Sequence, residues 1–127
     1  MSILGIDYGE RKLGVAISSG KLASPLKVIK YKTQLQALIQ IREIIQKNNI
    51  ERAVFGLSSG RIADETKEFA EVFNKTFHIP VEFEDETLTT KDAQRLAIEA
   101  GMNRTKRKNK EDAFSAALIL QSYLDNL

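Results

Sequence analysis

The order in which apolar periodicity changes along the chain limits the fold more than any single motif. Within the first 31 residues, three short segments read as strands: Ile3–Asp7, Lys12–Ser18 and Ala23–Tyr31. In the second, Val15 and Ile17 alternate with smaller residues, and in the third Leu26, Val28 and Lys30 alternate after Pro25. The links between them are too short for a crossover, so the three strands should form an antiparallel meander. Proline cannot donate to a ladder, which puts the Pro25 strand at an edge.

From residue 35 the period becomes helical. Leu35, Leu38, Ile41 and Ile45, with Ile39 and Ile44, form a broad apolar face that ends near Lys47, before Asn48-Asn49. Arg52–Gly56 is a short strand, Ala63–Thr76 a helix with Phe69, Ala70, Val72 and Phe73 inward, and Pro80–Glu84 a half-buried strand. A further helix capped by Thr89 or Thr90 runs to about Gly101, and a last one covers Glu111–Tyr123. Strands reached through helices should lie parallel to the first. The predicted class is α/β: one five-stranded mixed sheet, three antiparallel strands then two parallel ones, flanked by helices. No repeat or linker divides the chain, so residues 1–127 read as a single domain.

Composition narrows the function classes. There is no cysteine, which removes disulfides, thiolate zinc sites and cysteine nucleophiles and suits a reducing, cytoplasmic setting. No signal peptide or membrane-spanning apolar run is expected. The net charge is only +2, but five of the seven residues from 104 to 110 are basic: Arg104, Lys106, Arg107, Lys108 and Lys110. Such a run is either a solvated loop or a contact for a polyanion's phosphates.

Three acidic positions fall where ligand sites form in open α/β sheets, beyond the carboxyl ends of the strands. Asp7 ends the first strand, Asp85 and Glu86 follow the last, and Asp112 opens the last helix. Singly, Asp7 could make a turn, Glu86 could be a loop acid, and Asp112 could face a helix dipole. Together they form the oxygen-only donor set that hard cations such as Mg²⁺ or Mn²⁺ prefer. Two such ions sharing a carboxylate cut phosphodiesters by activating water and stabilising the leaving oxygen. Asp7 would bridge them, with Glu86 and Asp112 each completing one, and Glu86 ranks above Asp85 as second ligand.

The motifs around these acids carry a family resemblance. Gly5-Ile6-Asp7-Tyr8-Gly9 with Lys12-Leu13-Gly14-Val15-Ala16 resembles the opening motif of the YqgF (RuvX-type) family. Asp85-Glu86-Thr87-Leu88-Thr89-Thr90 is similar to its DERLTT element, and Arg107-Lys108 followed by Asp112 and Ala116-Ala117 to its C-terminal basic loop and helix. The resemblance implies an RNase H-like fold and a cytoplasmic metal-dependent nuclease with Asp7, Glu86 and Asp112 as its acids. It implies a nucleic-acid substrate: the 5′ end of pre-16S ribosomal RNA or, alternatively, a Holliday junction. Lys12 and the 104–110 run would hold the backbone. Lys12 and Thr87 stand where the family usually has arginine, and the turn after the middle strand is shorter and lacks proline. Lysine keeps the charge but not arginine's bidentate fork. A monomer or a homodimer is compatible with the sequence, and no membrane partner is expected.

Three other readings fit less well. Gly56-Leu57-Ser58-Ser59-Gly60 matches the G-x-S-x-G nucleophile elbow, but the one histidine, His78, falls near the opposite sheet edge and reads as a structural loop residue. The Gly5–Gly9 motif also opens the phosphate loops of two-lobed kinases, and one short domain cannot supply both lobes. A non-catalytic RNA-binding assembly factor would need only the basic run, and bare carboxylates would repel its ligand.

Overall fold

The computed structural model describes residues 1–86 and 104–127, with backbone alone for 104–110. Strands β1 (Ser2–Asp7), β2 (Lys12–Ser19) and β3 (Leu22–Lys30) come first. Helix α1 (Gln34–Lys47), β4 (Ile50–Leu57), α2 (Arg61–Phe77), β5 (Val81–Asp85) and α3 (Arg104–Asp125) follow. The sheet order is β3-β2-β1-β4-β5. β1 is antiparallel to β2, and β2 to β3, whereas β4 lies parallel to β1 and β5 parallel to β4. This is the mixed sheet expected from the periodicity. Pro25 does lie on an edge strand, opposite Ala16, at a break in the β2–β3 register.

Side chains on a strand alternate between faces, so β1 feeds two cores. Leu4 and Ile6 join Leu13, Val15 and Phe55 against Ile41 of α1 and Phe69 and Phe73 of α2. Ile3, Ala16 and Val54 face the other way, against Ala116, Ala117, Ile119 and Leu120 of α3. The first face is built from large side chains, each stabilising by about 1.5–3 kcal/mol when fully buried. The second is built from small ones, and the consequence is distance. A β-carbon on Gly5 would stand 2.8 Å from the Leu120 β-carbon. Helix α3 therefore lies almost on the backbone of the central strands.

The helix ends follow from local chemistry. Thr33 and Gln36 close a reciprocal capping box at the start of α1, and the Asn48 amide nitrogen donates to the Ile44 carbonyl at its end. His78 ends α2 in the left-handed conformation (φ 56°), the structural role expected of it.

Two expectations need correction. Leu35 and Ile39 are 66% and 42% exposed, because the sheet covers only the Ala37–Ile41–Ile44 stripe of α1. The basic run is not a loop: residues 104–110 form the first turns of α3, which starts seven residues before Glu111. Lysine and arginine are good helix formers, and neither glycine nor proline interrupts the chain there. The helix expected between Thr89 and Gly101 lies outside the described residues. Among those described, no helix is long and apolar enough to cross a membrane.

Candidate active site

Asp7 is the last residue of β1 and points to the α3 face, in register with Gly14 on β2. Gly14 is the residue that admits its neighbour. A β-carbon there would stand 1.9 Å from the Asp112 carbonyl oxygen, so any larger residue would push α3 away. Glycine thus lets Asp112 reach the end of β1. On the other side, the Glu86 amide donates to the Leu57 carbonyl at 3.2 Å. Its carboxylate lies over Gly56, where a β-carbon would come within 2.8 Å of Oε2. Two glycines on strands either side of β1 clear the ground for two acids that flank Asp7.

The electrostatics reflect this crowding. Burial, then the charge of Glu86, a hydrogen bond with Glu86 and the charge of Asp112 together push the Asp7 carboxyl up to about 8. Glu86, and not Asp85, is the acid that meets Asp7. Asp85 stands one residue earlier, in register with Leu57. Asp112 lies eight residues inside α3, beyond the first turn where a helix dipole acts, so the capping explanation for it fails. Instead its Oδ2 takes an ion pair from Lys12 Nζ at 3.1 Å. Arg104, Lys106, Arg107, Lys108 and Lys110 lie on the first turns of α3, N-terminal to Asp112, and their side chains fall outside the described residues.

Two grooves of about 600 Å³ each open at this sheet edge. One is lined by Leu57, Ser58, Ser59, Phe83, Glu84, Asp85 and Glu86. Here the Gly56–Gly60 turn serves as a wall beside Glu86. His78 is at the far end of β5, five residues or about 16 Å away, too far to act as base for Ser58. The second groove, beside Lys12, is cationic. Sequence reasoning missed both grooves, the role of Gly56, and Glu84, whose Oε2 is buried without a hydrogen-bond partner among the described residues. A glycine inside a strand marks a close approach, and the alternation Glu82, Glu84, Glu86 puts three acids on one face. Those were the available signals.

The donor set suits a hard divalent cation: carboxylate oxygens only, one of them buried beside like charges that a cation would relieve. Among the described residues no three acids or histidines stand together as a ready-made ion cage. Asp7 engages Glu86, and Asp112 engages Lys12.

A sequence model of the RuvX family, described as Holliday junction resolvase, matches residues 1–126. The chain belongs to this family. A relative from Halothermothrix orenii, named "Putative pre-16S rRNA nuclease", is 39% identical, the match covering 98% of this chain and 95% of that one. A relative of the same name from Streptococcus equi subsp. zooepidemicus is 38% identical, with 98% of both chains covered. Among solved structures, RuvC from T. thermophilus in complex with a Holliday junction substrate superposes with a TM-score of 0.64 at 17% identity, over 99% of this chain and 94% of that one. The Fowlpox virus resolvase, also complexed with junction DNA, gives 0.68 at 11%, over 99% and 98%. At such identities the likeness is one of fold, and the RuvX chain has the RNase H-like fold of these resolvases.

Proposed function

We propose that this RuvX-family chain is a cytoplasmic, Mg²⁺- or Mn²⁺-dependent nuclease that cuts the phosphodiester backbone of precursor 16S ribosomal RNA. Membership of the family makes it a hydrolase of nucleic acid, and the curated relatives carry the RNA in their name. The observation that carries the reading is the convergence of Glu86 and Asp112 on the buried carboxyl of Asp7.

Asp7, Glu86 and Asp112 would hold the divalent ions, Asp7 as the shared ligand between the other two. When bound, the ions supply Lewis-acid stabilisation of the charge that develops on the phosphate oxygens and activation of the attacking water. The chain's own residues prepare this state. Asp7 gives up its proton before it can serve as a ligand, and Lys12 exchanges Asp112 for a substrate phosphate. Lys12, with Arg104, Lys106, Arg107, Lys108 and Lys110, contacts the backbone, which positions the strand without reading its sequence.

Cleavage assays on a 5′-extended 16S precursor and on a four-way DNA junction, in Mg²⁺ and Mn²⁺, test the reading. Wild-type protein cuts the precursor, and Asp7→Asn does not. Equal activity of the variant would defeat the assignment of Asp7. The family description and the folds of the two resolvases favour a second reading, resolution of Holliday junctions, in which the junction is the better substrate and a homodimer is the active form. RNA binding without Asp7-dependent cleavage would point instead to a non-catalytic assembly factor.

A further inference from the structure

The cationic groove is the feature that the acids do not explain. It is lined by Arg11, Lys12, Lys30, Tyr31, Lys32 and Gln36, with no acid among the described lining residues. Lys12 and Lys30 are direct partners across the β2–β3 ladder. Like charges in that relation destabilise a sheet. Both side chains, with those of Arg11 and Lys32, are exposed. Asp112 neutralises Lys12, while Arg11, Lys30 and Lys32 have no ion pair among the described residues. The backbone around them is held firmly. The Tyr31 amide donates to the Arg11 carbonyl at 3.0 Å, the Tyr31 hydroxyl donates to the Gly9 carbonyl, and the Gln40 amide donates to the Lys30 carbonyl at 3.2 Å. The charges are therefore set on a rigid strand end, next to Asp112 and on the opposite side of Asp7 from the groove lined by Glu84, Asp85 and Glu86.

We infer that the Arg11–Lys30–Lys32 groove binds a backbone phosphate of the substrate RNA strand, flanking the phosphodiester cut beside Asp7. The inference rests on the nuclease reading and adds a strand path to it. The RNA leaves the acids over Lys12 and crosses the β2–β3 end toward the start of α1. Three cations without acidic partners attract a polyanion by releasing its counterions, at about 0.7 ions per neutralised phosphate for a single strand.

The test is binding of a fluorescein-labelled single-stranded RNA matching the precursor's 5′ extension, titrated in EDTA at several salt concentrations. Lys30→Gln/Lys32→Gln removes two exposed charges and leaves the backbone bonds intact. It should weaken binding about tenfold near 0.1 M salt and lower the slope of log K against log salt by about 1.4. Lys21→Gln/Lys47→Gln removes the same charge from exposed positions outside the groove and should stay within about twofold of wild type. Equal losses in the two variants, or none in the first, would overturn the groove. If wild type still cuts the RNA in an Asp7-dependent way, the nuclease reading survives that result. Loss confined to a four-way DNA junction probe would overturn the RNA assignment. Failure of wild type to bind or cut RNA would remove both the groove and the reading beneath it.

Discussion

Gly14 on β2 and Asp112 on α3 touch backbone to backbone: the place for a β-carbon on Gly14 is 1.9 Å from the Asp112 carbonyl oxygen. This contact sets how near α3, and with it the Asp112 carboxylate, comes to Asp7. Gly14→Ala should lower stability by about 3 kcal/mol, because neither backbone can yield without moving an element. It should cost cleavage at least about tenfold in the fraction that still folds, since misplacing a group by about 1 Å is that expensive. Gly56→Ala is a milder change. Its β-carbon would meet the Ile119 side chain at 2.3 Å and Glu86 Oε2 at 2.8 Å, and side chains can rotate. Urea unfolding with parallel single-turnover cleavage separates the two, and equal costs would contradict the contact.

Asp7→Asn should reduce metal-dependent cleavage roughly a thousandfold, about 4 kcal/mol of barrier. The substitution keeps size and hydrogen bonding while removing the shared ligand. RNA binding in EDTA should not weaken, because a carboxylate only repels phosphate. A parallel loss of binding and cleavage would mean that Asp7 holds the fold and not the chemistry.

The same carboxyl makes stability depend on pH. Asp7 holds its proton up to about pH 8 in the folded protein and loses it near 3.8 in the unfolded chain. Between those values the folded state binds the extra proton, so its stability falls as pH rises. The contribution is complete below about pH 4 and gone above about pH 8. Asp7→Asn mimics the protonated form. Without metal, the variant should therefore match wild type near pH 4 and exceed it at pH 9 by several kcal/mol, on the order of 3 to 5. Chemical denaturation of both proteins across that range measures the difference. A flat difference curve would show that Asp7 is not buried among like charges.

Metal binding should carry the matching signature. A cation displaces the Asp7 proton, so Mn²⁺ titration at pH 7 should release close to one proton, and affinity should climb until about pH 8. Calorimetry in two buffers of different ionisation enthalpy counts the protons. No release would place the cation away from Asp7.

Lys12 competes for Asp112. The pair is exposed on the lysine side, 56% against 30%, so it is worth no more than about 1 kcal/mol of stability. Lys12→Gln should leave the unfolding midpoint nearly unchanged, tighten Mn²⁺ binding by freeing Asp112, and raise the KM for RNA by removing a phosphate contact. Weaker metal binding in this variant would show that Lys12 orients Asp112 instead of occupying it.

Much of this was legible in the chain itself. Strand alternation at Val15–Ile17 and the helical spacing through Ile41 and Ile44 express burial on one face, a local property that a sequence records directly. Short links between the first three strands forced the meander, and the acids at Asp7, Glu86 and Asp112 could be picked out from where elements end. Tertiary structure alone decided the rest, because it depends on contacts between residues far apart in the chain. The closeness of α3 follows from glycines on separate strands, Gly5, Gly14 and Gly56, that line up only once the sheet is formed. Lys12 reaches Asp112 across a hundred residues, and Lys30 faces Lys12 only through ladder register. The raised proton affinity of Asp7 has the same origin: burial and neighbouring charge belong to the assembled sheet edge, not to any stretch of sequence.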